Sequence, residues 1–256
     1  MKTSGNTILI TGGASGIGRE LAERFQALGN RVIIAGRRRE RLDAVVAANE
    51  GIVGYVLDVE DKADIEAFAL KVVAEHPDLN VLINNAGIMT AEDGTGSRDL
   101  SDAEAMVTTN LLGPIRLTNA LIDHLVTKPD AAVINLSSGL AFVPLVSTPT
   151  YSATKAAIHS YTVSLRDVLR GKVEVIELVP PAVQTELTPG QSTRAGYMPL
   201  DAFMDEVMTL FAQQPTPQEI LVERVGFLRF AEAEKRFDQA LTALNDLVRQ
   251  AHAERS

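Results

Sequence analysis

The segment that most limits the possible folds is an apolar run, Thr7–Ile10, that passes through Thr11-Gly12-Gly13-Ala14-Ser15-Gly16-Ile17-Gly18 into an amphipathic stretch, Gly16–Leu28. A strand, a glycine turn and a helix in that order let the backbone approach an anion closely. The helix start aims free N–H groups and the positive end of its dipole at the same point. A glycine triplet alone also fits a merely tightened loop, so context decides. A second strand-like run, Arg31–Ala35, follows the helix and completes the βαβ setting that a dinucleotide needs. Gly12, Ser15, Gly16, Ile17 and Gly18 are the expected phosphate cradle.

The alternation continues. Strand-length apolar runs at Gly54–Leu57, Val81–Asn84, Ala132–Leu136 and Val173–Val179 are separated by helical stretches at Arg38–Asn49, Asp61–Glu75, Ser101–Leu125 (broken near Gly113-Pro114) and Ser152–Leu169. Runs such as Val32-Ile-Ile-Ala are apolar at consecutive positions and so bury both faces between helix layers. The expected fold is α/β: a Rossmann-type doubly wound sheet of about six parallel strands with a helical C-terminal cap. At 256 residues, with no linker or repeat, the chain reads as one NAD(P)-binding domain over 1–256, its lid and cap spanning about 186–256. Within that cap Thr216-Pro217-Gln218-Glu219 has the form of a helix start, Asp201 and Asp205 read as a solvated helix face, and Phe230, Phe237, Leu241, Leu244 and Val248 recur at helical spacing.

The end of the second strand selects the cofactor. NAD calls for a carboxylate there to hold the ribose 2′-hydroxyl, but the sequence reads Gly36-Arg37-Arg38-Arg39. Guanidinium clamps a 2′-phosphate through charge-assisted, bidentate hydrogen bonds. Arg37 is the expected ligand and Arg38 and Arg39 the start of a solvated helix, so NADP(H) is expected over NAD(H). The three arginines stand out in a chain of net charge −9, a balance that argues against nucleic acid as a partner. Cysteine is absent, so redox chemistry has to come from a bound cofactor. His76, His124, His159 and His252 form no His-x-x-x-His pair, so no metal is expected, and His159 reads as a packing or interface residue. The N-terminal apolar run is too short for a signal core or a membrane span, which gives a cytoplasmic reading.

Further motifs lie in order: Asn84-Asn85-Ala86-Gly87 after the fourth strand, Asn110 in the next helix, Ser138 after the fifth strand, and Tyr151-x-x-x-Lys155. Together with Thr11-Gly-x-x-x-Gly-x-Gly, this set resembles the short-chain dehydrogenase/reductase family across residues 7–185. Val179-Pro-Pro-Ala-Val-Gln-Thr185, with Ile220-Leu-Val-Glu-Arg-Val and Ala231-Glu-Ala-Glu, resembles its DltE-type oxidoreductases. The resemblance implies that Asp58 and Val59 contact adenine, that Asn85, Ala86 and Gly87 line the cofactor, and that Pro180, Val183 and Thr185 hold the nicotinamide end. It also implies that Asn110 maintains a proton relay to Lys155. One departure stands out. The family's usual Pro-Gly is Pro180-Pro181 here, which fixes φ and deletes an N–H in that loop.

Reduction of a carbonyl needs a hydride on carbon and a proton for the developing alkoxide. Tyr151 is the expected proton donor. A free phenol, with a pKa near ~10, is a poor acid–base group at neutral pH, so its pKa is expected to fall. Lys155 at i+4 lies on the same helix face and can stabilise the phenolate, while Ser138 orients the substrate oxygen. The loop Gly139–Val146, with Met89, Leu187, Met198 and Phe203, reads as an apolar pocket for ketones or aldehydes, and Gly190–Pro199 as a lid. Apolar outer faces on Leu111–Val126 and Ser152–Val168 point to a homodimer or homotetramer. The reading is an NADP(H)-dependent carbonyl reductase/alcohol dehydrogenase. The alternative is a catalytically silent NADP(H)-sensing protein of the same fold.

Overall fold

The computed structural model describes the backbone of residues 1–253 and the side chains of residues 1–246. Val248 and His252 therefore lie outside the described side chains. Among the described residues, seven strands form one parallel sheet: β1 (Thr7–Thr11), β2 (Arg31–Gly36), β3 (Ile52–Val56), β4 (Leu79–Asn84), β5 (Ala132–Leu136), β6 (Glu174–Val179) and β7 (Glu219–Leu221). Their order is β3-β2-β1-β4-β5-β6-β7. The helices are α1 (Gly16–Ala27), α2 (Arg39–Ala48), α3 (Lys62–Glu75), α4 (Ser101–Val107), α5 (Gly113–Leu125), α6 (Pro149–Val168), α7 (Leu200–Phe211), α8 (Gly226–Arg229) and α9 (Phe237–Ala253). None of them is long and apolar enough, among the described residues, to cross a membrane.

Side chains alternate between the two faces of a strand, so a strand buried on both sides feeds two cores. Ile8, Ile10, Val32, Ile34, Val81, Ile83, Ile176 and Leu178 pack with α1, α2 and α7, where Phe25 meets Phe211 edge-on at 5.6 Å. Leu9, Ile33, Leu82, Val133 and Val175 pack with α3 and α5 on the other face. Asp205, read as a solvated position, pairs with Arg24 of α1 at 2.6 Å and ties α7 to that layer. The strand order reverses between β1 and β4, and the crevice beyond their C-terminal ends is where an open α/β sheet takes a ligand.

Three sequence expectations are corrected. The sheet has seven strands, not six, because β7 pairs with β6 in the register Glu177↔Glu219, Leu178↔Ile220 and Val179↔Leu221. Thr216-Pro217-Gln218-Glu219 leads into that strand and starts no helix. The Thr216 hydroxyl is engaged by Met1, accepting from the terminal amine at 2.7 Å and donating to Met1 O at 3.1 Å, so it does not cap. Gln218 O accepts from Glu177 N, and Ile220 is fully buried, which draws the segment onto the sheet edge. A strand of three residues is too short to show a period. The expected break at Gly113-Pro114 is, third, a π-helical turn over Thr108–Leu112, with Gly113 N donating to Thr108 O five residues back. Pro114 has no N–H to offer the Asn110 carbonyl, so the ladder widens just ahead of it. The C-terminal helix docks as its spacing implied. Phe237, Leu241 and Leu244 pack around Val143, Ala231 and Ala240.

Candidate active site

Thr11, the last residue of β1, fastens the cradle to β4. Its Oγ1 accepts from the backbone N–H groups of Asn85 and Ala86, both at 3.1 Å, and its carbonyl accepts from Asn85 Nδ2 at 2.8 Å. Only glycine fits beside this clasp. Gly12 has φ +67°, and a Cβ there would stand 2.8 Å from Asn85 Nδ2; at Gly18 it would stand 2.3 Å from the same atom and 2.5 Å from Gly12 O. Thr11→Val removes the acceptor for two N–H groups at nearly constant volume. We expect it to cost about 1 kcal/mol, the low end of the penalty for leaving half-buried donors without an acceptor, read as a lower urea midpoint at unchanged m-value.

Ser15 precedes α1 without capping it, and the first turn carries no acidic residue, so the helix start keeps its positive potential for a ligand. Arg38 donates to Ser15 Oγ at 3.3 Å and has no carboxylate partner among the described residues. Burial, and then the cations Arg41 and Arg37, hold its pKa below the ordinary guanidinium value, the mark of an uncompensated charge. Arg37, by contrast, is bound to Glu60 at 2.8 Å. Both arginines line the cavity that runs from this loop. Sequence reasoning chose Arg37 and set Arg38 aside as helix surface; the partner that separates them, Glu60, sits on the turn after β3 and is invisible in the local sequence.

The cavity measures about 400 Å³. Gly12, Ser15, Gly16, Ile17, Val59, Asn85, Ala86, Gly87, Ser138, Tyr151, Lys155, Pro180, Val183 and Thr185, all singled out in the sequence, line it together with Pro181, and so do Leu57, Ile88, Thr109 and Gln191, which the sequence reading did not assign to the site. Gly18 and Asp58 do not line it: Gly18 packs against Asn85, and the Asp58 carboxylate turns back to accept from Glu60 N at 3.0 Å. The loop after Pro181 is held by side-chain and backbone hydrogen bonds. Gln191 donates to Val183 O at 2.9 Å and to Thr185 Oγ1 at 3.2 Å, and Met198 N donates to Ala182 O. The expected lid is thus fastened to the loop it was to cover.

Ser138 ends the turn after β5, and its Oγ accepts from Leu140 N at 3.1 Å. Tyr151 and Lys155 descend from α6, with Lys155 Nζ 5.6 Å from the Tyr151 ring centroid and donating to Leu136 O at 2.9 Å. Asn110, on the π turn, is buried behind them. It accepts from Ile88 N and donates to Ile88 O, each at 2.9 Å, and reaches Thr154 Oγ1 at 3.3 Å. Gly87 leaves room for this grouping, since a Cβ there would lie 3.3 Å from Asn110 Oδ1 and 3.8 Å from Lys155 Nζ. Burial pushes the Tyr151 phenol up to about 12, against the hydrogen bond with Ser138 that pulls it down. Burial likewise pushes Lys155 down to about 8, against the carboxylate of Glu177. The expected fall of the tyrosine pKa is therefore not met in this arrangement: desolvation of the phenolate outweighs what its neighbours return.

The family model of the short chain dehydrogenases matches residues 6–195 of this chain. The chain belongs to that family. This short-chain dehydrogenase is 40% identical to the uncharacterized oxidoreductase DltE of Bacillus subtilis over 252 residues, 96% of its own length and all of the relative's. It is 36% identical to serine 3-dehydrogenase of Agrobacterium fabrum over 71% of its length and 74% of that protein's. A short chain dehydrogenase from Burkholderia cenocepacia, solved in complex with NADP, superposes with a TM-score of 0.81 at 27% identity, covering 95% of this chain and 98% of that one.

On the substrate side of this dehydrogenase the apolar set is largely redistributed. Leu187 lines the cavity, whereas Phe203 is fully buried in the core beneath α7 and Met198 packs against that core. Met89 is not among the lining residues, nor is the Gly139–Val146 loop. That loop is covered by the cap: Val143 is buried under α9, and Asn245 accepts from Val146 N at 2.8 Å. An apolar composition announces burial without saying against what. His159 is no simple packing residue either, since its Nδ1 bonds Glu177 Oε2 at 2.8 Å. Its ligand atom and those of Glu177 and Glu219 lie within 4.8 Å of one another, a grouping in which Arg229 already neutralises Glu219 through two bonds of 2.9 Å.

Proposed function

We propose that the protein is an NADP(H)-dependent carbonyl reductase/alcohol dehydrogenase acting on a small, mainly apolar ketone or aldehyde, or the matching secondary alcohol. One observation carries the reading. Ser138, Tyr151 and Lys155 open onto the same cavity as the uncapped start of α1 and the unpaired guanidinium of Arg38. The donor set fits a dinucleotide phosphate. Backbone amides of Ser15–Gly18 would hold the pyrophosphate, Arg38 with Arg37 the 2′-phosphate, Val59 the adenine side, and Asn85, Ala86, Gly87, Pro180, Val183 and Thr185 the nicotinamide side. Bound there, NADPH supplies the hydride.

The chain's own residues handle the oxygen and its proton. Tyr151 Oη donates the proton to the developing alkoxide, and Ser138 Oγ hydrogen-bonds the same oxygen and fixes its position. The Lys155 ammonium stabilises the phenolate left behind, and Asn110, braced on Ile88, keeps the route from Lys155 towards water. Site and cofactor sheet share one domain, residues 1–256. Pairing through the apolar outer faces of α5 and α6, where Val163 and Val168 of α6 stand exposed, is expected to give a dimer or tetramer by light scattering.

The test is NADPH oxidation against a panel of aryl and aliphatic ketones, aldehydes, 3-oxoacyl thioesters and 3-oxo acids, with serine and 3-hydroxy acids run in the oxidative direction. The apolar carbonyls are expected to give the highest kcat/KM. NADPH that binds but is consumed with no member of the panel refutes the enzyme reading in favour of a sensor, and faster turnover of the acids refutes the apolar substrate class.

A further inference from the structure

Asn84, Asn135, Glu177 and Glu219 stand in register across β4, β5, β6 and β7. Residues in register on parallel strands project to one face, here the face beneath α5 and α6. Asn84 donates to Thr118 Oγ1 at 3.1 Å and Asn135 Oδ1 at 2.8 Å, Asn135 donates to Thr162 Oγ1 at 3.0 Å, and Glu219 holds Arg229. Such a row inside a core persists only if its members find partners. Glu177 is the exception. It has no exposed surface, and while Oε2 bonds His159, Oε1 has no hydrogen-bond partner among the described residues.

The charged and titratable groups facing this carboxylate are His159 and Lys155 from α6, Glu219 from β7 and Arg229 from α8; Tyr151 is the further titratable neighbour of Lys155. Arg229 is committed to Glu219. His159 follows Lys155 by one helical turn, so both stems reach towards β5 and β6, and Lys155 ends on Leu136 O, the residue after Asn135 in the polar row. Lys155 has no carboxylate in hydrogen-bond contact among the described residues, and Glu177 is the one whose charge supports its ammonium against burial. We propose that Glu177 is a positioning residue for the reaction: its carboxylate, oriented by His159, is the buried counter-charge that keeps Lys155 an ammonium beside Tyr151.

The inference rests on the proposed function, in which Lys155 acts on Tyr151, and its test separates the two. Lysine labelled with 13C at Cε reports each of the seven lysines, and the Lys155 signal is assigned by its loss in Lys155→Met. In Glu177→Gln, which keeps the volume and a hydrogen bond to His159, the Lys155 midpoint falls by about one pH unit or more, the order expected when a nearby opposite charge is removed. The high-pH limb of kcat/KM for carbonyl reduction moves down with it, while NADPH affinity is nearly unchanged. His159→Leu, which removes the orienting donor and leaves the carboxylate, moves both in the same direction by less and serves if the first variant does not fold. An unmoved midpoint, or a moved midpoint with an unmoved activity limb, overturns the assignment. A shifted midpoint in a protein that turns over no carbonyl refutes the proposed function and leaves the counter-charge standing.

Discussion

Tyr151→Phe lowers kcat for carbonyl reduction by ~10²–10⁴-fold, the range in which general acid catalysis contributes, and leaves NADPH binding nearly intact. The ring lies buried on α6 with Lys155 Nζ 5.6 Å from its centroid, so phenylalanine keeps the packing and removes only the group that gives up a proton. The loss is expected in kcat and kcat/KM together, as for an interaction made in the transition state. Stopped-flow NADPH oxidation with the best ketone of the panel, beside fluorescence titration of NADPH, separates chemistry from binding. A variant that keeps its turnover places the acid elsewhere. One that loses NADPH affinity in step shows that the hydroxyl serves the cofactor.

Arg38→Ala is expected to raise the KM for NADPH by about 10–150-fold, the equivalent of ~1.5–3 kcal/mol for hydrogen bonds to a charged group, and to leave the KM for NADH nearly unchanged. Arg37→Ala has the smaller effect, because that guanidinium is already engaged by Glu60 and has less to give to a phosphate. Steady-state kinetics of the two variants with both cofactors decide the order. Equal losses for NADPH and NADH in Arg38→Ala would mean that the arginine supports the loop through Ser15 and does not read the 2′-phosphate. A larger loss in Arg37→Ala would return the role to the residue that the sequence singled out.

The proposed catalytic residues stand out in the sequence because each sits in a short motif whose spacing is set by one element. Tyr151 and Lys155 share one helix face, and the glycines of residues 12–18 bend one turn. What escaped was decided between segments distant in the chain. β7 gives no periodic signal in three residues, and it forms because the buried Ile220 and the Gln218 carbonyl complete the edge of β6. Phe203 and Met198 look like a substrate pocket by composition alone, and the structure spends them on the core under α7.

By itself the sequence determined the doubly wound sheet, the glycine turn between β1 and α1 and the grouping of Ser138, Tyr151 and Lys155, because hydrophobic period, glycine geometry and helical spacing are local properties. Only the tertiary structure decided which arginine lacks a carboxylate partner, why burial holds the Tyr151 phenol up at about 12 when the pairing with Lys155 promised a fall, and that Glu177 bonds His159 and lies where its charge bears on Lys155. The reason is the same in each case. Charge and desolvation depend on every group that packs within a few ångströms, and folding brings those groups from the turn after β3 and from β6, β7 and α8 into places that no stretch of sequence records.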